Sequence, residues 1–171
     1  MVRRFLPLIV LIAIVALAGW RLASPGEERV RSQLVDQDVP SFALDPVFEG
    51  RPGLSRETLV GPRMINLFGS WCIPCIAEAP MLETLAREGV AIDAIAVRDT
   101  PEAVRDFLDR HGDPFQAIGA DPDSSAMIAF GASGVPESFI VDAEGRIAYH
   151  HQGPIGADDI DTILAEWKAV Q

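Results

Sequence analysis

The chemistry legible in this chain starts at its only two cysteines, Cys72 and Cys75, set in Trp71-Cys72-Ile73-Pro74-Cys75. One pair at this spacing builds no disulfide framework for a small exported fold, so the sulfurs act together or not at all. Structural zinc asks for four ligands, and His111, His150 and His151 supply neither a second Cys-x-x-Cys nor a His-x(3–5)-His spacing. Two ordinary buried thiols are the plain alternative. The chemistry such a pair offers is thiol–disulfide exchange, in which a thiolate attacks a partner disulfide, a mixed disulfide forms and the second thiol expels the reduced partner. The redox group is then the Cys72–Cys75 pair itself, with no metal or cofactor expected.

That chemistry needs a particular position in the chain. Met64 to Phe68 is a nearly continuous apolar run between Pro62 and Gly69, as expected for a strand covered on both faces. Ile73 to Arg87 carries Ile76, Ala77, Leu82 and Leu85 at helical spacing, with Pro80 expected to kink the helix. A thiolate at the strand-to-helix junction faces unpaired backbone N–H groups and the positive end of the helix dipole. Cys72 is therefore the expected nucleophile and Cys75, one turn deeper, the resolving thiol. Pro74 is harmless in a first turn, whose N–H groups lack helical acceptors.

The remaining elements read in order. Pro40 to Leu44 is a short strand, Ser55 to Leu59 a helical turn, Val90 to Val97 a buried strand and Pro101 to Arg110 a helix with proline in its first turn. Phe115 to Ile118 is a short strand and Asp123 to Phe130 a helix. Ser138 to Val141 and Ile147 to His150 flank the turn formers Asp142-Ala143-Glu144-Gly145, a hairpin signal. Asp158 to Val170 closes the chain as an amphipathic helix. Alternating strands and helices followed by a hairpin give an α/β fold with a central mixed sheet flanked by helices.

The 171 residues suit one domain plus a tail, expected at 39–171. Arg3 and Arg4 precede an uncharged apolar run from Phe5 to Trp20, which spans about 24 Å as a helix, short of the roughly 30 Å of a hydrocarbon core, a gap that Trp20 at the interface and a snorkelling Arg21 can close. Residues 1–23 thus read as a signal anchor or transmembrane helix, with Ala16-Leu17-Ala18 leaving a cleaved signal equally open. Residues 24–38 read as a polar tether. With 14 basic against 25 acidic residues the net charge is −11, which repels a phosphate backbone, so nucleic acid is excluded as a partner. The three histidines read as surface or edge-strand residues without a role.

From Val39 to Gln171 the chain resembles the thioredoxin superfamily, through Trp71-Cys-x-x-Cys75 after a strand, Pro80 five residues beyond, and Gly134-Val135-Pro136 before a strand. The resemblance implies a cis Val135–Pro136 bond beside the cysteines, with the Val135 backbone free to pair with an extended substrate. Within the superfamily the chain is similar to the membrane-anchored DsbE/CcmG-type proteins of cytochrome c maturation. Gly134-Val135-Pro136-Glu137-Ser138-Phe139 differs from their Gly-x-Pro-Glu-Thr-Phe block only by Ser138. Gly112-Asp113-Pro114-Phe115 and Tyr149-His150-His151-Gln152-Gly153 also match segments of that group.

Several expectations follow from the resemblance. The function is reduction of the disulfide of apocytochrome c so that both thiols can accept haem. The partners are apocytochrome c with the haem-ligation machinery, a membrane thiol–disulfide electron donor, and the membrane itself through the N-terminal helix. The location is the bacterial inner membrane with the domain in the periplasm. Cys72, Cys75 and Glu78 are the catalytic candidates, and Trp71, Val135, Pro136 and Glu137 the substrate-binding ones. Asn66 stands where many thioredoxins hold a buried aspartate; an amide cannot take the Cys75 proton, which leaves Glu78 and Glu137 as the acceptor candidates. A carboxylate near Cys72 opposes thiolate formation and favours a reductant, with a potential well below the roughly −120 mV of strong dithiol oxidants. Glu78-Ala79-Pro80 looks more like the tethered TlpA/ResA-type reductases, which serve other exported partners, and Ala132-Ser133 differs from the bulkier Val-Tyr that often precedes the glycine in the maturation group. A non-enzymatic apocytochrome holder is a third reading.

Overall fold

A computed structural model describes residues 14, 15, 19 and 35–171. The expected anchor and most of the tether lie outside the described residues, among which no helix is long and apolar enough to cross a membrane. All elements below belong to the compact unit Arg31–Gln171.

Seven strands and four helices follow one another as β1 (Ala43–Leu44), β2 (Leu54–Ser55), β3 (Arg63–Phe68), α1 (Ile73–Arg87), β4 (Ile92–Val97), α2 (Pro101–His111), β5 (Phe115–Asp121), α3 (Ser125–Ala129), β6 (Glu137–Val141), β7 (Ile147–Gln152) and α4 (Ile160–Ala169). Short 3-10 turns at Arg56–Thr58 and Ala157–Asp159 lead out of β2 and into α4. The central sheet has the order β5-β4-β3-β6-β7. Its β3–β4 and β4–β5 pairs are parallel, while β6 runs antiparallel to both β3 and β7. This is the α/β fold with a central mixed sheet that the element order predicts, in the thioredoxin-like arrangement that the resemblance implies.

Alternation along the strands sorts the core into two layers, because successive side chains point to opposite faces. Met64, Phe68, Ile92, Ala94, Ala96 and Ile140 pack against α1, α2 and α4. Ile65, Leu67, Ile95, Val97, Phe139 and Val141 pack on the other face, against Val39, Phe42, Ala126 and Phe130. Phe68, fully buried, sits 5.3 Å from both Phe107 and Phe115, tying α2 and β5 to β3. Burying such a ring contributes about 2–3 kcal/mol.

Two of the helical starts are capped by side chains. Thr100 caps α2 by accepting from Ala103 N, with Pro101 next, and the Ser55–Thr58 pair forms a capping box around the predicted turn. α1 runs unbroken through Pro80, and the Thr84 hydroxyl donates to the Pro80 carbonyl at 2.9 Å.

Several elements differ from expectation, among them β2, which falls where a loop and a helical turn are expected, and β7, which runs on to Gln152. β5 continues to Asp121, past the predicted end at Ile118, since Gly119, Ala120 and Asp121 pair in register with Ile95, Ala96 and Val97. α3 is shorter than 123–130 because the buried Asp121 carboxylate accepts from Ala126 N and Met127 N and so fixes the helix start. The first strand shrinks to Ala43–Leu44, the only stretch that pairs with β2.

The chain enters the sheet along the hairpin. Asp36 N donates to Ile147 O, Ile147 N to Gln37 O and Val39 N to Gly145 O, at 2.8–2.9 Å.

Candidate active site

β3 delivers the chain to Gly69-Ser70-Trp71, and the end of β4 holds it there. The Asp99 carboxylate accepts from Ser70 N at 2.5 Å and from Ser70 Oγ at 2.8 Å, while Trp71 Nε1 donates to Val97 O at 3.2 Å. The Trp71 ring lies over Gly69, where a Cβ would come within 2.7 Å of it. Trp71 and Ile73 remain 57% and 78% exposed, an apolar rim on either side of Cys72.

Cys72 is the N-cap of α1, with extended backbone, and its Sγ accepts from Cys75 N at 3.2 Å. Negative charge on that sulfur is favoured by the free N–H groups of the first turn. Cys72 and Cys75 are joined as a disulfide with Cα atoms 5.3 Å apart. The Val135–Pro136 bond is cis, and the Val135 carbonyl oxygen lies 3.6 Å from Cys72 Sγ. Trp71, Cys72, Cys75, Val135 and Pro136, far apart in sequence, thus meet at one end of the sheet.

The two acidic candidates occupy different faces. Glu78 follows Cys75 by one turn on the buried side of α1 and is fully buried itself. Its Oε1 accepts from Asn66 Nδ2 and its Oε2 from Ile155 N, each at 3.0 Å. Burial disfavours the carboxylate more than these donors favour it, and its pKa is raised to about 7. Asn66 and Ser138 pair across β3 and β6, and the amide also donates to Ser138 Oγ at 3.0 Å. Its Oδ1 is buried without a hydrogen-bond partner.

Glu137 heads β6 on the opposite face, the one carrying Phe139 and Val141. Its Oε1 accepts from Ser133 N (2.8 Å), Ser133 Oγ (2.6 Å) and Gly134 N (3.1 Å), and its Oε2 lies 2.6 Å from His150 Nε2. Burial opposes its charge, but His150 and Ser133 outweigh that and hold the carboxyl below the usual range. Both oxygens are therefore occupied.

Sequence reasoning missed four contributors. His150 lies on edge strand β7 as read, but it is not a bystander: its side chain is 2% exposed, bonded to Glu137 and stacked on Phe139 with ring centroids 4.1 Å apart. The Tyr149-His150-His151-Gln152-Gly153 match was the available signal. Ser138 and Ile155 complete the surroundings of Asn66 and Glu78, and Asp99 holds Ser70 across 29 positions of sequence, with no local signal at all. Among the described residues no group of three or more His, Cys, Asp or Glu side chains is placed to hold a metal ion.

Fold and site together define a thioredoxin-like thiol–disulfide oxidoreductase. The Redoxin family profile matches residues 35–164. The chain belongs to that family and, within the thioredoxin superfamily, to the DsbE/CcmG-type thiol:disulfide interchange proteins. It is 37% identical to the thiol:disulfide interchange protein DsbE of Allochromatium vinosum, over 97% of this chain and 94% of the relative. Against the DsbE homolog of Paracoccus denitrificans the identity is 33%, over 90% of this chain and 86% of the relative. A solved structure of a thioredoxin-family thiol:disulfide interchange protein from Chlorobium tepidum superposes with a TM-score of 0.61 at 26% identity, covering 81% of this chain and 97% of that one.

Proposed function

We propose that this enzyme reduces the disulfide of apocytochrome c during c-type cytochrome maturation, working in the periplasm from an N-terminal inner-membrane anchor. The observation that carries the reading is the Val135 carbonyl, presented beside cis-Pro136 at 3.6 Å from Cys72 Sγ within the Gly134–Phe139 block. An extended Cys-x-x-Cys-His segment laid along that backbone brings its own disulfide to Cys72, and haem attachment needs both its thiols free. The kinship with DsbE proteins supports the same reading.

The reduced enzyme begins with the Cys72 thiolate stabilised at the mouth of α1. It attacks one client sulfur, the client S–S bond breaks, and the departing client thiolate takes up a proton. Cys75 then gives its proton to Glu78, the buried carboxylate one turn away, and attacks Cys72 Sγ. The second client sulfur leaves as a thiolate and is protonated in turn. Two electrons pass to the client, its two thiolates take their protons from solvent, Glu78 returns the Cys75 proton to solvent, and Cys72–Cys75 is left as the disulfide. A membrane thiol–disulfide donor restores the dithiol.

The test is reduction of a synthetic, disulfide-closed Cys-x-x-Cys-His peptide. Cys72→Ser abolishes it, whereas Cys75→Ser accumulates a mixed disulfide in cells whose captured partner is a c-type cytochrome. Capture of other exported proteins alone overturns the substrate assignment in favour of a broader tethered reductase. Full cytochrome maturation with Cys72→Ser overturns the catalytic reading in favour of a holder.

A further inference from the structure

A buried histidine on the outermost strand, bonded to the carboxylate behind the active-site loop, has no part in the exchange steps above. His150 pairs with Phe139 across β6 and β7 and stacks on its ring, which fixes the imidazole plane. Its Nε2 is 2.6 Å from Glu137 Oε2. An ionised carboxylate only accepts, so Nε2 carries the proton. His150 Nδ1 is buried without a hydrogen-bond partner. An unpaired polar atom in a buried site is a cost, offset here by the short bond at the other nitrogen.

What that bond fixes matters more than the bond itself. Glu137 uses its other oxygen to bind Ser133 N, Ser133 Oγ and Gly134 N, the backbone immediately before Val135. Without His150, one carboxylate oxygen is left buried and unsatisfied, and the cheapest relief is for Glu137 to rotate toward water and release Ser133 and Gly134. The next carbonyl along is that of Val135, at 3.6 Å from Cys72 Sγ.

We propose that His150 is a positioning residue: through Glu137 it locks residues 133–134 and so sets the Val135 carbonyl at the spacing from Cys72 that an extended polypeptide client requires. The proposal rests on Val135 being the docking edge. It assigns His150 to client alignment, leaving sulfur chemistry to Cys72, Cys75 and Glu78.

Three variants separate this from a purely structural role. In His150→Gln the amide reaches as far as Nε2 and keeps a donor to Glu137; in His150→Asn the amide is too short, and His150→Leu has none. Each reduced, full-length variant is assayed with the closed Cys-x-x-Cys-His peptide and with hydroxyethyl disulfide, which has no backbone to align. The expected result is a peptide KM raised at least fivefold in the Asn and Leu variants with kcat within twofold, and a wild-type KM restored in the Gln variant. Rates with hydroxyethyl disulfide stay within twofold throughout. Equal peptide KM values across the series overturn the proposal, as does a parallel loss on both substrates. Should the Leu variant fail to fold by circular dichroism, the Gln–Asn comparison decides on the same criteria. A wild-type enzyme inactive on the peptide but active on hydroxyethyl disulfide removes the docking reading first, and this proposal with it.

Discussion

Glu78 shows how a single buried group couples stability to acidity. An ordinary glutamate loses its proton near 4.5, but burial delays that in the folded chain to about 7. Below 4.5 both states hold the proton; between 4.5 and 7 only the folded chain does, so the unfolded state binds fewer protons and stability falls as pH rises through that window. Above it the deficit levels off at about 3 kcal/mol. Urea titrations at pH 5 and pH 8 are expected to show this loss in the wild type and its absence in Glu78→Gln. The amide adds a cost of its own, because Asn66 must turn over to offer its unpaired Oδ1 and so leaves Nδ2 unpaired, but that cost does not vary with pH. In the proposed mechanism the same substitution removes the acceptor for the Cys75 proton. Release of the client from the mixed disulfide is then expected to slow by about 10- to 100-fold, and the bend near pH 7 in the wild-type rate profile to disappear.

At the scale of elements, Gly119 decides how the β1–β2 hairpin sits on β5. A Cβ there would lie 2.7 Å from Leu44 Cβ, 2.9 Å from Leu44 Cδ1 and 3.2 Å from Leu54 Cβ. Gly119→Ala is expected to lift the hairpin and cost about 1–3 kcal/mol in chemical unfolding, with exchange activity retained because the site lies elsewhere. Asp99→Ala acts on the opposite kind of element, the turn leading into Cys72. Losing both bonds to Ser70 is expected to cost about 1–2 kcal/mol and to lower the rate of client attack, measured as the second-order rate constant with the peptide disulfide.

These two positions also mark where sequence reading succeeds and stops. β3, α1 and the β6–β7 hairpin were legible because each is announced locally, by an apolar run, a helical period or a turn tetrad. Gly119 reads as a strand terminator when the reason for it is a hairpin packed from 65 to 75 residues earlier. Asp99 and His150 look like surface polar residues until the strands align them with Ser70 and Glu137. The cysteine pair was legible because its spacing is a chemical requirement, and the cis proline because the resemblance to the thioredoxin superfamily implies it. The split of Glu78 from Glu137 was hidden because it depends on which face of the sheet each carboxylate reaches.

The molecule as a whole carries −11, and its long-range field acts on every encounter. An anionic disulfide approaches against repulsion that salt screens over about 10 Å at 0.1 M. The rate of oxidation of the reduced enzyme by glutathione disulfide is therefore expected to rise by about two- to threefold from 10 to 150 mM salt in stopped-flow measurements, whereas uncharged hydroxyethyl disulfide is expected to show no such rise.

The bonds from Asp36, Gln37 and Val39 to the hairpin place the entry of the chain at the Val141–Ile147 end of β6 and β7. Pro136 and the sulfurs stand at the other end, since Leu67 pairs with Glu137 and Arg63 with Val141. A surface gripping the protein ahead of residue 35, such as a sensor chip or a bead, takes hold of it by the heel. The toe that meets oxidised clients stays clear, so captured enzyme should turn over as fast as enzyme free in solution.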